Sequence, residues 1–219
     1  MYSQLDPAPK VAEFLLQIKA VELSPQKPFT WASGWRSPIY CDNRKTLSHP
    51  AVRTFIRQQF VHVINETFGK PDMIAGVATG GIAHGALVAQ EMGLPFVYVR
   101  SDAKGHGKKN QVEGDLSTGR NAIVIEDLVS TGGSSLKAVQ ALREAGIEVK
   151  GMVSIFTYGF DEAAKAFEEA KVKLQALTNY DVLLDQALKT DHITEKERAS
   201  LSEWRRNPST WMQEKATTT

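Results

Sequence analysis

The sequence predicts an α/β fold, a central parallel sheet flanked by helices. Three observations carry that reading: apolar β-branched runs, amphipathic helical patterns between them, and glycine-rich turns where strand gives way to helix. Strands are expected at 73–77, 96–100, 123–126 and 149–158, and the run Ala122-Ile123-Val124-Ile125 suits a strand buried on both faces, because it is continuously apolar.

Residues 11–20 have the spacing of an amphipathic helix, and 29–41 form a short β-prone region punctuated by Ser-Gly and Ser-Pro. Ser48 is placed to cap a long helix that has Pro50 in its first turn and runs toward Phe68. Helical patterns at 82–92 and 134–145 alternate with the strands, which implies βαβ units. Beyond Asp161 come a helix, a short strand near 174–177, and helices around 180–189 and 194–205. No repeat, low-complexity tract or linker interrupts the 219 residues, so one domain over 1–219 is expected.

Composition narrows the function classes. The apolar fraction of 42% is ordinary for a globular protein, and a net charge of +1 gives no electrostatic case for nucleic acid or an anionic membrane. Small-molecule ligands are expected instead. Cys41 is the only cysteine, which excludes an internal disulfide and a cysteine-based zinc site and fits a reducing compartment. No apolar segment approaches a membrane span, and the N-terminal residues do not read as a leader, so a cytoplasmic location is expected.

The most informative stretch is 122–134, AIVIEDLVSTGGS. Its strand ends in Glu126 and Asp127, at the sheet edge where α/β proteins bind ligands. Ser130, Thr131, Gly132, Gly133 and Ser134 then let the backbone curl so that N–H groups and hydroxyls converge on a phosphate-sized spot. The acids beside such a spot must face something other than the anion, sugar hydroxyls or a divalent cation. Neither the Walker A pattern nor the dinucleotide G-x-G-x-x-G spacing is present. An ordinary strand–turn–helix, or a receiver-like acid pair binding magnesium, stays open at this point.

Residues 101–120, SDAKGHGKKNQVEGDLSTGR, form a basic, glycine-bearing stretch almost devoid of apolar residues. A segment of this length without its own structure usually serves as a lid or binding loop. Lys104 and His106, flanked by Gly105 and Gly107, offer two cationic or proton-donating groups; Lys108 and Lys109 read as surface charge.

Run 122–134 resembles the phosphoribosyl diphosphate signature of type I phosphoribosyltransferases. YVRSDAKGHG resembles the catalytic loop of the orotate phosphoribosyltransferases, and PFTWASGWRSPIYCDNR the hood that covers the pyrimidine there. The resemblance implies a type I phosphoribosyltransferase-like fold with a small N-terminal hood, about 20–45, and a flexible catalytic loop, about 101–116. It implies transfer of the phosphoribosyl group from 5-phospho-α-D-ribose 1-diphosphate to orotate. By that likeness Arg100, Lys104 and His106 are catalytic and contact the diphosphate. Glu126, Asp127, Leu128, Val129, Ser130, Thr131, Gly132, Gly133 and Ser134 hold the rest of the sugar donor, and Ser130 also faces orotate. Magnesium is the implied cofactor, held mainly through the diphosphate with no protein ligand set, and a homodimer with shared active sites is implied as well.

The sequence also departs from the family pattern. Ala32 and Ser101 stand where some members carry lysines, residues 76–81 lack a Tyr-Lys pair, and the strand end at 155–158 lacks an arginine that grips the orotate carboxylate in some members. Arg36 and Arg44 are candidates for that grip, as they are for surface ion pairs. Trp31 and Trp35 could cover the base or pack under the hood; Trp204 and Trp211 read as core or dimer contacts. His49, His62, His84 and His192 have no ligand-like spacing. A phosphoribosyltransferase for a purine or another pyrimidine and a non-catalytic sensor of phosphoribosyl diphosphate are the competing readings.

Overall fold

The computed structural model describes residues 6–31, 34, 36–101 and 111–211. Its elements run α1 (Ala8–Gln17), β1 (Val21–Leu23), β2 (Phe29–Thr30), β3 (Arg36–Ser37), β4 (Ile39–Cys41), a 3-10 turn (Asn43–Ser48), α2 (Pro50–Phe68), β5 (Met73–Val77) and α3 (Gly80–Met92). Then come β6 (Phe96–Val99), β7 (Val112–Glu113), a second 3-10 turn (Leu116–Thr118), β8 (Asn121–Val129), α4 (Gly133–Glu144), β9 (Glu148–Thr157), α5 (Asp161–Glu169), β10 (Leu174–Asn179), α6 (Tyr180–Lys189) and α7 (Glu195–Arg206).

Six strands form the main sheet in the order β10-β9-β8-β5-β6-β7, parallel except for the two-residue edge strand β7. Strand periodicity divides the core between its faces. Ile74, Ile123, Ile125, Val153 and Ile155 point to the layer of α1, α2, α3, α6 and α7. Met73, Ala75, Ala122, Val124 and Met152 point to α4 and α5. Burial on both faces explains why 73–77 and 122–125 read as unbroken apolar runs. The hood consists of two small antiparallel pairs, β1 with β4 and β2 with β3. It is anchored by an aromatic cluster in which Trp31 meets Tyr158 and Trp204 at ring-centroid distances of 5.5 and 5.6 Å. Trp204 is fully buried, so a truncation there would cost about 3–5 kcal/mol.

The structure revises several element boundaries. Ser48 does not cap α2: it ends the 3-10 turn, His49 takes the N-cap position, and no side-chain cap bond is made. Once the backbone of 43–48 is wound, Asp42 does the capping, accepting from the Arg44 N–H. Helix α3 starts at Gly80, two residues earlier than its apolar pattern indicates, and β8 continues through Val129. Inside the basic stretch, 112–113 pair with β6 and 116–118 form a turn capped by Asp115. Among the described residues no helix is long and apolar enough to cross a membrane.

Candidate active site

The carboxyl edge of the sheet brings together two helix N-termini, the acid pair and the hood. Both α3 and α4 begin without a side-chain cap, so their first N–H groups have no intrahelical partner and the positive ends of their dipoles face the edge. Gly132 opens α4 in the left-handed conformation, with φ of +85°, and a Cβ on Gly133 would meet nothing within 4 Å. A backbone curl with open space in front of free amides suits a phosphate. Ser130, Thr131, Gly132, Gly133 and Ser134 all lie on this curl, with Leu128 and Val129 in the strand beneath it.

Glu126 and Asp127 are neighbours in sequence and diverge in space, because successive strand residues point to opposite faces. Glu126 turns toward α4, where its Oε2 accepts from the Ser135 hydroxyl at 3.0 Å and its Oε1 from the Asp127 N–H at 3.0 Å. Asp127 turns toward α3 and lies against Gly80, whose Cβ, if present, would sit 2.2 Å from the Asp127 carboxyl carbon. Burial and, after it, the charge of Asp127 push the Glu126 carboxyl up to about 9, so Glu126 holds a proton at neutral pH. Burial also raises Asp127, against the hydrogen bond from Glu126 and the nearby Arg44 charge, which lower it. Both carboxyls are shifted upward, so the pair resists carrying two negative charges at once, and Asp127 is the member that faces the α3 N-terminus.

The hood reaches this pair directly. Asn43 donates from Nδ2 to the Asp127 carbonyl at 2.7 Å. Thr46 meets His84 Nε2 at 3.1 Å, tying the 3-10 turn to α3. Because the Thr46 hydroxyl donates to the Asn43 carbonyl at 2.6 Å, it accepts from the His84 ring; His84 Nδ1 is then buried without a partner. Burial, with a contribution from Arg53, pulls His84 down to about 4.

Arg100 stands at the end of β6 and pairs with Glu113 at 3.5 Å. Lys104 and His106 lie outside the described residues, as do Ala32 and Trp35. Of the two arginines considered for the carboxylate grip, Arg44 is bound to Asp42 at 2.6 Å and acts on Asp127 through its charge, while Arg36 is exposed on β3. Trp31 is a packing residue whose indole N–H donates to the Ile39 carbonyl at 3.2 Å. Trp204, read from the sequence as a core or dimer contact, is fully buried in the core. A cavity of about 280 Å3 beside Thr131 is lined by Gly159, Phe160, Arg205 and Arg206 among others. Sequence reasoning missed Asn43. The DNR tripeptide flagged its segment, but its contact with Asp127 spans 84 positions.

Among the described residues no three His, Cys, Asp or Glu side chains gather as a metal cluster. Both Glu126 oxygens accept hydrogen bonds, whereas the Asp127 carboxyl lies against Gly80 at the start of α3. A single acid of this kind suits magnesium that arrives with substrate phosphates and keeps much of its water.

The profile of the family described as phosphoribosyl transferase domain matches residues 46–181. A protein named orotate phosphoribosyltransferase from Phocaeicola vulgatus is 59% identical over 200 residues, covering 91% of this chain and 94% of that one. The orotate phosphoribosyltransferase of Aeropyrum pernix superposes with a TM-score of 0.73 at 28% identity, covering 84% of this chain and 99% of its own. The UMP synthase of Leishmania donovani superposes with a TM-score of 0.75 at 29% identity over 90% of this chain, which spans 42% of that longer protein. With the acid pair, the phosphate curl and the hood arranged as described, the chain belongs to the phosphoribosyltransferase family and, within it, to the orotate phosphoribosyltransferases.

Proposed function

We propose that this chain transfers the phosphoribosyl group of 5-phospho-α-D-ribose 1-diphosphate to orotate, giving orotidine 5-monophosphate and diphosphate in pyrimidine nucleotide synthesis. The observation that carries the reading is the likeness to a named orotate phosphoribosyltransferase, 59% over 91% of the chain. The edge geometry supports it: phosphate curl, ribose-facing carboxylate and hood stand in that order.

In the reaction the orotate ring nitrogen forms a bond to C1 of the ribose as the bond from C1 to the diphosphate oxygen breaks. Positive charge grows on the ribose and negative charge on the leaving group. The amides of 131–135 anchor the 5-phosphate, and Asp127 accepts from the ribose hydroxyls. The uncapped α3 N-terminus, together with Arg100, Lys104 and His106, supplies positive potential to the departing diphosphate. Arg100 exchanges Glu113 for the diphosphate as it does so. Ser130 stands on the phosphate curl, where it meets orotate. Magnesium, when bound through the diphosphate, neutralises leaving-group charge; no covalent nucleophile takes part.

The hood over about 20–45 and the loop over about 101–116 complete one catalytic unit. A cytoplasmic homodimer, in which the loop serves the neighbouring site, is part of the same proposal and draws on the family resemblance. Following orotate by its absorbance, with phosphoribosyl diphosphate and magnesium present, tests the activity. Orotate is expected to be consumed, and adenine, hypoxanthine and uracil to be left intact. Consumption of a purine with orotate unchanged would overturn it.

A further inference from the structure

Asp127 is the carboxylate that meets the ribose in the reading above, and its strand is held by the sheet on one side only. β8 stays paired with β9 as far as Val129 and Thr157, but on its other side the pairing with β5 ends at Gly76 and Ile125. Past that point two side chains take over: the Asp127 N–H donates to Glu126 Oε1, and the Asp127 carbonyl accepts from Asn43 Nδ2 at 2.7 Å. Asn43 is fully buried, with 0% exposure. Its other amide atom, Oδ1, accepts from the Cys41 thiol at 3.3 Å. The orientation of the amide is unambiguous, since the Asp127 carbonyl can only accept. The thiol in turn stays protonated, because burial and the charges of Asp127 and Asp42 raise it.

The contacts join end to end. From β4 in the hood, Cys41 donates to Asn43 and Asn43 to Asp127; the Asp127 amide and the Ser135 hydroxyl then both donate to Glu126, and Ser135 sits in the first turn of α4. One buried network therefore spans the hood, the ribose-facing acid and the phosphate curl. Fully satisfied networks of this kind hold a single arrangement, and a shift at one end is felt at the other.

We infer that Asn43 is a positioning residue that fixes the Asp127 backbone and couples the hood to the phosphate curl, so that the pyrimidine and the ribose phosphate bind with positive cooperativity. The inference rests on the proposed function for the identity of the two ligands. Asn43 itself touches neither; it acts through Asp127. By reciprocity, orotate tightens ribose phosphate binding by the same factor as the reverse.

Ribose 5-phosphate carries the phosphate and the hydroxyls without a leaving group, so it can be titrated by calorimetry beside orotate with no turnover. The wild-type chain is expected to bind it at least about five-fold tighter with saturating orotate. In Asn43→Ala that ratio is expected to fall close to one while each ligand still binds alone. Tyr180→Phe, which removes the buried bond from Tyr180 to the Leu201 carbonyl but keeps the ring that packs on Tyr158 and Trp204, lowers stability without touching a bond of the network and is expected to keep the wild-type ratio. If Asn43→Ala does not fold, Cys41→Ala tests the same link, with a ratio at least halved. A wild-type ratio of one, an unchanged ratio in Asn43→Ala or Cys41→Ala, or an equal loss in Tyr180→Phe would each overturn the inference. Orotate consumption without coupling would leave the proposed activity standing, whereas failure of the wild type to bind either ligand or consume orotate would remove both.

Discussion

Gly80 and Gly81 are adjacent at the start of α3, and adding one methyl group to each should have opposite consequences. A Cβ on Gly80 would fall 2.2–2.3 Å from the carbon and both oxygens of the Asp127 carboxyl, where ordinary contact is 3.4–4 Å. The carboxyl must retreat by about 1 Å or more, and it can, because it is the end of a side chain. The overpacking costs about 1–3 kcal/mol, against which Ala in place of Gly in a helix returns about 0.5–1 kcal/mol. A net loss of about 1 kcal/mol lowers the melting temperature of a chain this size by about 2–4 °C. The functional cost is larger, since displacing a ligand-holding group by about 1 Å costs on the order of 100-fold. A Cβ on Gly81 would instead fall 2.2 Å from the Ile125 backbone carbonyl. There the helix itself must lift from β8, at a cost of about 3 kcal/mol. Thermal unfolding and the orotate absorbance assay, with phosphoribosyl diphosphate varied, read the two effects separately. Gly80→Ala should fold nearly as well as wild type and lose about 100-fold in kcat/KM for phosphoribosyl diphosphate, while Gly81→Ala should be the less stable of the two. Wild-type kinetics in Gly80→Ala, or equal destabilisation by both, would refute the placement of Asp127 against α3.

Three further outcomes are expected. His84, held near 4 by burial, favours its neutral form in the fold, so its contribution to stability is complete above about 6.5 and is lost as pH falls toward 4, by on the order of 3 kcal/mol. The difference in melting temperature between wild type and His84→Gln should accordingly shrink from pH 7 to pH 5; taking the difference removes the opposite slope of Glu126, whose raised carboxyl loses stability as pH rises from about 4.5 to 9. Lys104→Ala should leave thermal unfolding unchanged and depress turnover by about 100-fold or more; near-normal turnover at saturating magnesium would sink its role. Mixing inactive Lys104→Ala chains with inactive Asp127→Asn chains should regain activity if the loop serves the neighbouring site, and mixed dimers without activity would place the loop in its own chain's site.

What could be read from the sequence follows the range of the interactions. The backbone curl before α4 was legible because consecutive residues build it: Gly132 supplies the left-handed turn and 133–135 the uncapped amides. The start of α3 was less so. Helical propensity argues against a glycine pair, but Gly81 is required there because the helix approaches the Ile125 carbonyl too closely for any side chain. Ser48 misled for a related reason: its residue type suits a cap, and only the winding of 43–48 shows that the position is already used. Edge strand β7 is two residues long and paired from one side, too short for any periodicity to reveal.

The separate duties of Glu126 and Asp127 show where a linear motif stops being informative. In a strand exposed on one face, alternation would have marked one acid as inward and the other as outward. Here the preceding residues are buried on both faces, so the pattern carries no phase until the partners of each face are known. Those partners are Ser135 on one side and Gly80 with Asn43 on the other. They come from three separate segments, and two of them have no side chain chemistry that would single them out in advance: a glycine and a serine inside helices. The doubled acid is therefore best understood as one group that braces α4 and one that faces the start of α3, a division set by the faces of the sheet on which each residue lands.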